Sequence, residues 1–310
     1  MMAFSLCRRR IAWLPVYLLV LTVGLAAQPA HAAPGLLLIA HGSPSPEWNR
    51  PVLQFGERVA ETLTKQGKYK AVRTALLESS QPDVPTAIAE LEAAGCDRIV
   101  AIPLFIAPTG HTHFDVPAVL GIYTSAKTSA TLAEENAQAA RPRVPILLTE
   151  TLADSEVLDR YAADEVRKLS KSPGQEAIVF LIHGDPDHAL LVERLMRRVT
   201  SRCCGESGIR YGDWASIAMG QEYGQALAAI TRAKEQKQQV LVVGLYLATT
   251  AAKIHQRSAR GHHHGHGPAA GNQGPDPRLS LSTQALINHP ALLDWVVKTA
   301  QSAASGEQKT

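Results

Sequence analysis

Residues 35–43 read GLLLIAHGS, and residues 177–185 read AIVFLIHGD. Each is an apolar run that ends in His-Gly. A run apolar at every position marks a strand covered on both faces, as in a parallel sheet between layers of helices. The repetition goes further: residues 98–113 (RIVAIPLFIAPTGHTH) answer to residues 239–255 (QVLVVGLYLATTAAKIH). An offset of about 141 residues pairs His41 with His183, give or take one, and Pro103 with Gly244. The same offset sets Glu78 against Met219 and His111 against Ala252. The chain thus reads as a duplicated domain. Its first copy has two His and one Glu at strand ends, and two of the three positions are apolar in the second copy. That pattern points to one metal site.

Working outward, strand-like runs at 36–40, 71–77, 98–106 and 144–148 alternate with helix-like runs at 47–66, 85–94 and 155–169. The second half repeats the alternation. Strands are expected at 177–182, 214–219 and 240–247, with helices at 189–199, 221–234 and 250–258 and a closing helix at 289–304. Alternation of this kind predicts an α/β fold with parallel sheets. Two rounds of it predict two flavodoxin-like lobes, related by internal duplication, with a cleft between them. The lobes are assigned to residues 33–150 and 151–258, followed by a His-rich flexible loop at 259–278 and a C-terminal helix and tail at 279–310. Residues 126–140, polar and alanine-rich, fit either a helix or a mobile insert.

Residues 1–32 are set apart from the fold. Arg8, Arg9 and Arg10 precede an apolar stretch at 11–27, and Ala30-His31-Ala32 fits a small-x-small cleavage site. This predicts a secretory signal peptide and a periplasmic mature chain of about 278 residues. The competing reading is a single membrane anchor, for which about 17 apolar residues are the short end of what spans a bilayer. After cleavage no membrane association is expected. Lys and Arg number 31 against 28 Asp and Glu, so nothing electrostatic supports a nucleic-acid partner. Three cysteines remain, Cys96, Cys203 and Cys204. They form neither a disulfide framework nor a CxxC metal knuckle, although adjacent Cys203-Cys204 could bind metal. Self-association into a homo-oligomer is left open.

In open parallel sheets ligands bind beyond the carboxyl ends of the strands. His41 follows strand one, Glu78 follows strand two, and His111 lies in the loop after strand three. All three are expected on one edge. A lone His there is more often a capped loop residue, and a lone Glu a helix-cap partner or a solvated group. Convergence of three from separate loops favours a site. Two imidazoles and a carboxylate suit a borderline divalent ion such as Co²⁺, Ni²⁺, Fe²⁺ or Zn²⁺. Gly42 and Gly110 serve turns, since no Gly-rich phosphate loop is present. No G-x-S-x-G elbow supports an α/β hydrolase.

Three motifs carry a family resemblance. The first strand with His-Gly-Ser covers residues 36–43, and Leu77-Glu78-Ser79-Ser80-Gln81-Pro82-Asp83-Val84-Pro85 forms the second. Residues 103–111, followed by Asp115-Val116-Pro117, form the third. Together they resemble the sirohydrochlorin cobaltochelatases of the CbiX type, in the class II chelatase group. The resemblance is strong over about 35–120 and weaker over about 175–255. It implies insertion of a divalent metal, Co²⁺ foremost, into sirohydrochlorin or a related tetrapyrrole, in cobalamin or other tetrapyrrole synthesis. His41 and His111 would be metal ligands, and Glu78 an acid/base or further ligand. His183 and His113 are secondary candidates, with His255 behind them. Export and the His-rich stretch at 261–267 suit an alternative, a periplasmic metal- or haem-binding protein without turnover.

Overall fold

The computed structural model describes residues 33–78, 80–217, 223–261 and 276–305. The signal-peptide reading (1–32), Met219 and the histidines of 262–267 lie outside the described residues. The first lobe runs β1 (Gly35–His41), α1 (Pro46–Lys65), β2 (Ala71–Leu77), α2 (Val84–Ala93) and β3 (Ile99–Pro103). A π-helical turn (His111–Asp115), α3 (Val116–Val119), α4 (Ala126–Glu134) and β4 (Ile146–Leu148) follow. Helix α5 (Val157–Leu169) ends the first repeat, and the second lobe runs β5 (Glu176–His183), α6 (Ala189–Ser207), β6 (Tyr211–Ile217) and α7 (Gly224–Gln236). It continues through β7 (Gln239–Leu245), α8 (Ala251–Gly261), β8 (Leu279–Leu281) and α9 (Pro290–Ser305).

The two sheets are all parallel and share one topology, β2-β1-β3-β4 and β6-β5-β7-β8. Even the register repeats, with His41 opposite Leu77 and His183 opposite Ile217. The continuous apolar runs are explained by burial on both faces. Leu36, Leu38 and Ala40 point into a core that both lobes share, with Phe55 and Val59 of α1 and with Phe180 and Ile182 of β5. Leu37 and Ile39 point the other way, against Ile88 and Leu91 of α2. Strand order reverses at β1, which places the sheet's topological switch point at the ends of β1 and β3.

The last helix of each lobe packs on the other lobe's sheet. Although α5 follows β4, it packs against β7 and α6; α9 follows β8 and packs against β3 and α1. Two buried tyrosines fasten the exchange. Tyr161 of α5 donates its hydroxyl to Gln284 O at 2.7 Å, with Gly244 O at 3.1 Å as second acceptor. Tyr69 of the first lobe donates to Ala300 O of α9 at 2.6 Å. The sequence pattern, which made 155–169 the fourth strand's own helix, shows that a face is buried but not which sheet buries it. Strand β8 escaped the pattern altogether, since three residues are too few to show a period.

Within residues 126–140, Ala126–Glu134 form helix α4, opened by Ser125, whose side chain accepts from Thr128 N–H. The three cysteines are free. Cys203 is buried on α6 with its thiol pushed up to about 12 by burial, so it behaves as a small apolar side chain. Among the described residues no helix is long and apolar enough to cross a membrane.

Candidate metal centre

The edge of the first sheet that holds the switch point is built around a close approach at Gly42. Its N–H donates to Leu77 O at 2.7 Å, and a Cβ there would lie 2.4 Å from the same oxygen and 2.7 Å from Glu78 O. Only glycine allows the end of β1 to touch the end of β2 so closely. The repeat keeps the device, since a Cβ on Gly184 would lie 1.6 Å from Ser216 Oγ. Glu78 itself sits at φ +66°, in the left-handed region that costs a non-glycine residue on the order of 1 kcal/mol. That turn folds its side chain back over the sheet edge.

The result is a convergence of three donors. Glu78 Oε1 lies 3.3 Å from His41 Nε2 and 3.3 Å from His111 Nε2. The two imidazoles stand edge to face, with centroids 5.2 Å apart. One potential ligand atom from each of His41, Glu78 and His111 falls within 4.8 Å of the others. Proton positions follow from the outer partners. A carbonyl oxygen only accepts, so His41 Nδ1–H donates to Gly42 O and leaves the Nε2 lone pair toward Glu78. His111 Nδ1–H donates to Asp115 Oδ2 at 2.8 Å, again leaving Nε2 inward. Glu78 Oε1 is buried, with no hydrogen-bond partner among the described residues. When both imidazoles are neutral, three lone pairs meet with no proton between them and repel, and a metal cation or a proton on His111 relieves the repulsion.

The electrostatics divide the set. Burial, then the charge of His111, lowers the His41 imidazole against the pull of the Gly42 carbonyl. Burial would lower His111 too, but its Asp115 hydrogen bond and the charges of Glu78, Asp115 and Glu135 raise it. Burial raises the Glu78 carboxyl; His111 opposes this and Asp115 adds to it. A proton on His111 competes with an ion, whereas His41 is held neutral and ready to ligate.

Two acidic residues complete the surroundings, and neither had a role in the sequence reading. Asp115 lies one π-helical turn after His111 and orients its ring, a carboxylate–histidine pairing common behind metal ligands. Its signal was the four-residue spacing. Glu135, at the end of α4, brings a carboxylate oxygen within 4.8 Å of ligand atoms of His111 and Asp115. Burial, and then the charge of Glu78, pushes its carboxyl up to about 7. No local pattern in 126–140 announces it. Asp115→Asn keeps the shape and removes the charge behind His111. It should lower the affinity of the folded chain for Co²⁺ about 10-fold, measured by metal titration.

The donors open into an interlobe cavity of about 380 Å³. Leu104, Phe105 and Ile106 line it from the first lobe, and Tyr246 and Leu247 from the second. His183 also lines it. Its Nδ1–H donates to Ile217 O at 3.2 Å, so its Nε2 lone pair is free, and burial followed by the charges of His41 and His111 lowers its imidazole. The other secondary candidates stand elsewhere. His113 is exposed, with its ring 6.0 Å from that of His188 across the lobe boundary. His255, on α8, pairs with Tyr223 Oη at 3.1 Å. Neither belongs to a three-residue ligand group among the described residues.

The family model named CbiX matches residues 35–169. Over 88 residues the chain is 34% identical to the sirohydrochlorin cobaltochelatase of Methanococcus maripaludis, covering 28% of this chain and 58% of that protein. It is 39% identical over 88 residues to the enzyme of the same name from Saccharolobus solfataricus, covering 28% and 64%. The chain thus spans less than two thirds of the length of these curated relatives. The sirohydrochlorin chelatase SirB of Bacillus subtilis subspecies spizizenii, solved with cobalt, has a similar structure. The likeness has TM-score 0.58 at 12% identity and covers 88% of this chain and 96% of that one. The CbiX described as the terminal enzyme of sirohaem biosynthesis in denitrifying bacteria gives TM-score 0.53 at 17% identity, covering 87% and 99%. At these identities the structural likeness speaks for the fold alone. The first lobe is thus similar in sequence to the CbiX family over residues 35–169, and the two lobes share the fold of the solved class II chelatases.

Proposed function

We propose that this chain is a chelatase that inserts a divalent ion, Co²⁺ foremost, into sirohydrochlorin or a related tetrapyrrole held between the lobes. The observation that carries the reading is the convergence of His41 Nε2, His111 Nε2 and Glu78 Oε1 at the wall of the interlobe cavity. Two neutral imidazoles and one carboxylate leave other coordination positions of an ion open, as transfer to a macrocycle requires. The cavity walls on both sides are apolar and suit the faces of a flat aromatic ring system. Pyrrole N–H protons must leave as the ion enters. Glu78 stands at the ion's side to accept them, and the free Nε2 of His183 faces the same space from the second lobe. The relatives named sirohydrochlorin cobaltochelatase support cobalt as the ion. The signal-like residues 1–32 support a periplasmic site of action, in cobalamin or another tetrapyrrole synthesis.

The test is anaerobic incubation of the mature chain with Co²⁺ and an excess of sirohydrochlorin, followed by the macrocycle's absorbance. Many macrocycles converted per chain, faster than in a protein-free control, are expected. Stoichiometric metal uptake with conversion no faster than the control would instead describe a binding protein.

A further inference from the structure

The duplicated phrase differs at its last residue, and the difference crosses the cleft. His41-Gly42-Ser43 in the first lobe answers to His183-Gly184-Asp185 in the second. Ser43 works within its own lobe, where its carbonyl accepts from Asn49 Nδ2 at 2.7 Å and from Ser80 Oγ at 3.1 Å. Asp185 reaches the other lobe. Its Oδ2 accepts the backbone N–H of Gly110 at 3.0 Å. The carboxylate is itself held, by His188 Nδ1–H at 2.8 Å on Oδ2 and by Asp187 N–H at 2.9 Å on Oδ1.

Gly110 is the residue that opens the π-helical turn and immediately precedes His111. The same turn meets the second lobe again through the ring of His188, whose centroid is 6.0 Å from those of both His113 and Phe114. Three residues of the loop are thereby tied to one short stretch of the second lobe. We propose that Asp185 is a positioning residue for His111: a carboxylate from the second lobe fixes the backbone that aims Nε2 at Glu78. Closing the cleft and setting the ligand are then one event, and the second copy contributes to a metal site it does not itself build. This rests on the reading of His111 as a metal ligand.

The test is Co²⁺ titration of the full chain with His262, His263, His264 and His266 replaced by serine, so that the His-rich stretch does not mask the cleft. In that background Asp185→Ser, which installs the residue of the first copy, should weaken Co²⁺ binding about 10-fold. Asp185→Asn keeps an acceptor for Gly110 and should bind within about 3-fold of the parent. In turnover the KM for Co²⁺ should rise while the KM for the macrocycle stays put, a split that general loosening of the fold does not produce. Binding that His41→Ala weakens but Asp185→Ser does not would overturn the positioning role alone. Binding that His41→Ala leaves unchanged would overturn the metal centre, and the positioning role with it.

Discussion

Replacing both first-lobe imidazoles, as His41→Ala with His111→Ala, should lower the rate of metal insertion by more than about 100-fold. Loss of a residue that merely orients a ligand already costs 10–100-fold, and this variant removes two of the three donors that meet at Glu78 Oε1. The remaining carboxylate is a single hard oxygen, too little to hold a borderline ion against water. The fold should survive, because both rings are half-buried at the cavity wall and not in the shared core. Unfolding midpoints near that of the parent would separate loss of the site from loss of the protein. The parent's Co²⁺ affinity should climb as pH rises. Protons compete for the same nitrogen of His111, whose basicity the Asp115 hydrogen bond sustains against burial. The double variant should lose that dependence along with the binding.

A second large effect lies far from the metal. Tyr161→Ala should destabilise the chain by about 3–5 kcal/mol, the range for deleting a buried aromatic ring. Tyr161 is fully buried, and its hydroxyl reaches Gln284 O and Gly244 O from a helix that belongs in sequence to the end of the first lobe. The midpoint of thermal unfolding should fall by roughly 10 °C. Tyr161→Phe removes only the donor and should cost about 1–3 kcal/mol. Tyr123→Ala, at a side chain 59% exposed, should shift stability by no more than about 0.5 kcal/mol. Equal effects at positions 161 and 123 would contradict the exchanged packing of α5.

The strands were legible because burial on both faces leaves an unbroken apolar run, and the duplication was legible because both copies kept it. Leu36 to Ala40 and Ile178 to Ile182 show this directly, each residue fully buried. The places of His41, Glu78 and His111 followed from the rule that parallel sheets carry their ligands beyond the strand ends, and the structure brings those three together. The exchange of α5 and α9 was not legible. An amphipathic period is the same whichever sheet a helix covers. Glu135 was invisible for a related reason: it reaches the site from the end of α4, within a stretch that reads as polar surface. Asp185 was in view as part of the repeat. Its partner is a backbone N–H on another lobe, a contact that no sequence spacing encodes.

The most direct test of the metal centre is the position of the ion itself. Crystals of residues 33–310 soaked with Co²⁺, with data collected at the cobalt absorption edge, should show an anomalous peak in the cleft. That peak is expected at about 2.0–2.2 Å from Nε2 of both His41 and His111, with a Glu78 oxygen beside it. A peak at His113 and His188, or elsewhere with the cleft empty, would contradict it.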